Sequence, residues 1–134
     1  MRLAMATLAD FANVREGMLN VVSAGIRSIG RENYPSPLNV YLAMLLEIYD
    51  DDAIDEVLIE VVLNPREQGG DDQVEQGVQI QVQRNEGERV GANLPFAVPL
   101  EVLSLARPGK YDLSISIAGL PKEHIEFQAE LWEQ

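Results

Sequence analysis

The chain carries one histidine, no cysteine, and 22 aspartates and glutamates against 10 lysines and arginines. His124 stands close to Glu123 and Glu126. A general base needs an oriented nucleophile and a group that holds the base in place. No neighbour in sequence supplies either, so His124 reads as a solvated surface residue. The carboxylates cluster in two stretches, Asp50, Asp51, Asp52, Asp55 and Glu56 in one, Asp71 and Asp72 in the other. Calcium takes about 6–8 oxygen ligands, largely carboxylates and carbonyls. If both stretches lie at one end of a sandwich, Asp50, Asp52, Asp55, Asp71 and Asp72 are a candidate metal site. Their spacing matches no EF-hand loop, and acidic residues also serve as ordinary solvated turns. Paired carboxylates can hydrolyse a glycosidic bond, but that chemistry needs an aromatic-lined cleft, and Trp132 is the sole tryptophan. Nucleophile-elbow, zinc-helix and phosphate-loop spacings are absent. Gly25 and Gly30 bracket Ile26-Arg27-Ser28-Ile29 without the lysine and helix that phosphate binding requires. The expectation is a protein without catalytic residues or cofactor, not an enzyme.

Composition narrows the partners. A net charge of −12 opposes binding to nucleic acid, which relies on cations neutralising phosphates. It opposes anionic membrane surfaces equally, and no apolar run approaches the roughly 20 residues that span a bilayer. The bland reading of the same charge is solubility. Absence of cysteine excludes disulfides and thiolate chemistry and fits a cytoplasmic home. Residues 1–10 have one basic residue and a brief apolar run ending at Asp10. They read as a first strand instead of a cleavable signal.

The elements that would position any site are strands. Residues 110–117 alternate cleanly, with Tyr111, Leu113, Ile115 and Ile117 on one face and Asp112, Ser114 and Ser116 on a solvated one. Residues 2–10 and 18–23 read as a hairpin joined by a polar link, 13–17, with a bent continuation of the second strand between Gly25 and Gly30. Leucine and methionine in residues 38–49 favour a helix, yet the prolines before them and the acids after them point to a strand. Further strands cover 57–63, 78–83 and 123–131, and one at 92–98 sits at a sheet edge because of Pro95 and Pro99. Residues 100–105 fit a helical turn or a crossing strand. The sum is an all-β, single-domain antiparallel β-sandwich of about eight strands over residues 1–134.

One asymmetry is informative. Strands from residue 78 onward have a polar face, whereas those before residue 63 are apolar on both. Tyr41, Ala43, Leu45, Leu58 and Val62 would occupy an outer face, with Ala4, Ala6 and Leu8 as further candidates. A contiguous apolar surface of that kind calls for a cover. The loop at 34–37 or the segment 100–105 would cover it from within; a second copy or another protein would cover it from outside.

Ala9-Asp10-Phe11-Ala12 followed by Gly17-Met18-Leu19-Asn20-Val21 and Gly25-Ile26 resembles the opening of a small bacterial family of unknown function. Pro108-Gly109-Lys110-Tyr111 with Leu113, Ile115, Gly119 and Phe127 is similar to that family's ending. The resemblance implies a compact β-sandwich and brings no activity, cofactor or catalytic residue. The functional expectation is a non-catalytic interaction or structural module that self-associates through its apolar N-terminal face. The alternatives are a Ca²⁺-binding module and a component of a bacterial or phage assembly.

Overall fold

The computed structural model describes residues 1–49, 56–66, 75–83 and 93–132. The described residues form eleven strands, β1 (Arg2–Arg15), β2 (Met18–Ala24), β3 (Ser28–Arg31), β4 (Ser36–Pro37), β5 (Tyr41–Glu47), β6 (Glu56–Pro65), β7 (Gln76–Gln83), β8 (Asn93–Pro99), β9 (Ser104–Leu105), β10 (Gly109–Ile117) and β11 (Glu123–Leu131). No helix occurs among the described residues, so none is long and apolar enough to cross a membrane. One sheet has the order β2-β1-β5-β8, a second β3-β11-β10-β6-β7, and β4 pairs with β9. Two sheets sharing one core make the expected sandwich.

The core follows from alternation. Leu42, Met44 and Leu46 on β5 are fully buried and meet Phe96 and Val98 of β8, together with Ile59 and Leu63 of β6 and Leu113 and Ile115 of β10, in one apolar cluster. Residues 41–47 are a strand despite their leucine and methionine because both backbone edges are used. Leu42 pairs with Leu8 on one side and Val98 on the other. Such a ladder outweighs the modest helix preference of these residue types. Tyr111 and Phe127 stack in the core with centroids 5.5 Å apart. Proline-bearing β8 does form a sheet edge.

Three details depart from the sequence reading. β1 runs straight through Phe11 to Arg15, and the hairpin loop is only Glu16 and Gly17, both at positive φ. That is the backbone a two-residue primed turn requires. Beyond the hairpin, the segment around Gly25 does not continue β2. Ser23 and Gly25 have positive φ, and the Gly25 amide donates to Thr7 Oγ1 at 2.8 Å and to the Leu8 carbonyl at 3.0 Å. This kink carries the chain to the second sheet, where β3 joins β11 in parallel within an otherwise antiparallel fold. Residues 100–105 are a turn closed by the Leu103 amide on the Leu100 carbonyl at 3.1 Å, leading into β9. Leu100, Leu103 and Leu105 belong to the core, so neither this segment nor β4 covers an outer face.

The first sheet is not flat. β2 approaches β5 and β8, two and three places away in the sheet order. At about 4.8 Å per strand a flat sheet forbids that, so the sheet curls. β2 adds no residue to the core cluster. Arg2 and Glu47 close the other end of β1 against β5, and the guanidinium hydrogen bond at 2.9 Å holds the Glu47 carboxyl below the usual carboxylate range.

At the rim of the second sheet the Trp132 indole lies over Gly30 so closely that an added Cβ would overlap it. Gly30→Ala should push this single tryptophan off the surface, at a cost of about 1 kcal/mol. A red shift of its fluorescence emission checks this; an unchanged spectrum rejects it.

Candidate functional site

The two outer faces differ in chemistry. On the first sheet Tyr41, Ala43 and Leu45 share the outward side with Met5, Thr7 and Ala9, their partners in register. Ala9 and Ala43 are buried, and Phe11 meets Tyr41 edge to face with centroids 5.2 Å apart. Leu58 and Val62 lie on the outer face of the second sheet, on the opposite side of the molecule. The five residues expected to form one patch therefore divide three and two. Alternation shows which residues share a strand face but not which sheet the strand joins. Leu8 faces the core and Ala6 packs against it.

The hairpin carries a group of exposed apolar residues. Met18 is 62% exposed and Val22 54%, and Phe11 and Val14 are also exposed. β2 is an edge strand, Met-Leu-Asn-Val-Val-Ser-Ala, with neither a charge nor a proline. Edge strands ordinarily carry such guards because an unpaired ladder invites another strand. Residues 11–24 hold one arginine and one glutamate, which cancel, so this arm is neutral in a chain of net charge −12.

Apart from Leu58 and Val62 the outer face of the second sheet is polar, and here the sequence reading needs correction. Asp112 and Ser114, expected to be solvated, are 4% and 3% exposed. Their strand is the middle one of five, and the longer side chains of His124 and Glu126 on β11 and of Val62 and Asn64 on β6 flank them in register. Asp112 also supplies the holding group that His124 lacks in sequence. Its Oδ2 lies 2.8 Å from His124 Nδ1, and Oδ1 is buried with no hydrogen-bond partner among the described residues. Donation from Nδ1–H would fix the ring with Nε2 directed away from the carboxylate. Ser114 sits opposite His124 in register, but its hydroxyl donates to the Val62 carbonyl at 3.5 Å. The arrangement is an oriented imidazole without an engaged nucleophile. One end of the same face holds a cleft lined by Arg27, Arg66, Lys110, Glu126 and Gln128.

Asp50, Asp52, Asp55, Asp71 and Asp72, the candidate calcium ligands, lie outside the described residues. Among the described residues no three carboxylate or histidine side chains converge as metal ligands.

Residues 4–130 match a family of unknown function, DUF6941. The chain belongs to that family. Membership agrees with the expectation of a family of unknown function. No curated protein matches the chain.

Proposed function

We propose that the protein is a non-catalytic module that self-associates through the β1–β2 hairpin, with β2 pairing edge to edge against β2 of a second copy. The unguarded edge strand carries this reading. Among the described residues its outer ladder is unpaired, and it offers exposed valine and methionine and local neutrality in a strongly acidic chain. Two like edges related by a two-fold axis are self-complementary and close as a dimer. The intended partner is therefore another copy, and neither nucleic acid nor membrane suits a surface of this overall charge. Lack of cysteine supports a reducing, cytoplasmic setting.

Sedimentation velocity over a wide concentration range tests the proposal. The expected result is a dimer for the parent chain and a monomer for Met18→Glu/Val22→Glu, with unchanged far-UV circular dichroism. A monodisperse parent monomer at high concentration excludes it. A ring or filament would instead favour head-to-tail contacts of the kind found in a larger assembly.

A further inference from the structure

The cleft on the second sheet has a volume of about 330 Å³ and is lined by Arg27, Arg66, Lys110, Gln128 and Glu126 among others. Three cations and one carboxylate give it a formal charge of +2 (3 − 1), opposite in sign to the chain's −12. With acids outnumbering bases 22 to 10, local pairing would be the ordinary outcome. Arg66 does pair with Glu126, at 3.0 Å. The side chains of Arg27 and Lys110 have no ion-pair or hydrogen-bond partner among the described residues.

These residues are held in one transverse row. The Gln128 amide donates to the Arg27 carbonyl at 2.8 Å, Gln128 is the register partner of Lys110, and the Arg66 amide donates to the Lys110 carbonyl at 2.8 Å. Successive strands lie about 4.8 Å apart, so the row spans roughly 14 Å of backbone. Arginine side chains at its two ends can lean over the glutamine and lysine between them. The backbone ladder fixes the spacing, so the cations do not depend on a loose loop for their placement.

We infer that this cleft binds a phosphomonoester dianion. Two negative charges cancel the cleft's +2, whereas a single carboxylate would leave half of it unanswered. Guanidinium groups present paired donors that match phosphate oxygens, lysine adds a point charge, and the Gln128 amide can donate to a further oxygen. The volume lies at the small end of ligand sites, which run from about 300 to 1,000 Å³. It suits a phosphoryl group better than a whole nucleotide.

Titration of isotope-labelled protein with inorganic phosphate, followed by amide chemical shifts, tests this. The expected result is saturable shifts at residues 27, 66, 110 and 128, with acetate binding more weakly. Arg27→Gln/Lys110→Gln should lose on the order of tenfold in affinity or more, and Lys122→Gln, outside the cleft, should lose none. Glu126→Gln should bind phosphate several-fold more tightly, because it removes the one opposing charge. Phenyl phosphate separates the two sources of the dianion: equal affinity means free phosphate suffices, and tighter binding means an ester is preferred. Absence of saturable shifts, or equal phosphate affinity in the folded double variant, overturns the assignment.

Discussion

Leu113→Ala should lower the free energy of unfolding by about 3–4 kcal/mol, within the range for leucine truncations in tight cores. Leu113 is fully buried on β10, the middle strand of five, with Ile125 and Leu63 as its register partners on either side. Leu63 is held on its far side by Gln76 of β7, so the site has little freedom to collapse around the lost atoms. The larger penalty applies where a cavity persists. Ser116→Ala, on the outward side of the same strand, should change stability by less than about 0.5 kcal/mol. Urea unfolding measures both, and an unchanged m-value assigns the difference to the native core. A loss below about 1 kcal/mol for Leu113→Ala would mean that the second sheet repacks easily and that β10 is not its anchor.

The face that Leu113 occupies was readable from residue order alone, and so was every inward residue of β5 and β6. Period-2 alternation depends on the local backbone, and burial of one face imposes it strongly. What escaped depends on information that alternation does not hold. Tyr41 and Leu58 show the same outward parity, yet their strands belong to different sheets. The chain reaches β3 in the second sheet by a kink that needs positive φ at Ser23 as well as at Gly25. Glycine announces such a kink and serine does not. The burial of Asp112 depends on long side chains from two neighbouring strands, one of them about 50 residues away in sequence, as the Asp112–Asn64 pairing shows. The Asp112–His124 contact was closer to legible. A short turn around Gly119 sets Ser114 opposite His124, which makes Asp112 a diagonal neighbour within reach of a long side chain. The cationic row joins Arg27, Lys110 and Arg66 from three separate parts of the chain, and only the sheet order places them side by side.

Asp112→Val should raise stability, by about 1–2 kcal/mol. The carboxylate of Asp112 is buried, and among the described residues only Oδ2 has a partner, while Oδ1 has none. A buried polar atom without a hydrogen bond costs about 1–3 kcal/mol. The partner, His124, has a half-exposed side chain, so water can take over its Nδ1 when the carboxylate is gone. Removing Asp112 therefore leaves no stranded buried charge, the usual reason that breaking a buried pair is so costly. Valine nearly matches the side-chain volume and favours the middle of a sheet. Thermal and urea unfolding of Asp112→Val and His124→Ala decide the matter, and the second variant should lose on the order of 1 kcal/mol or more, because it leaves the buried Asp112 carboxylate without its partner. If Asp112→Val is instead destabilised by more than 1 kcal/mol, the aspartate is a structural fixture whose second oxygen is satisfied by water. A stabilised variant would mark Asp112 as retained at a cost to the fold, and residues retained on those terms are commonly ones that a function requires. The polar face of the second sheet, with its oriented imidazole beside the cationic cleft, would then be the first place to seek that function.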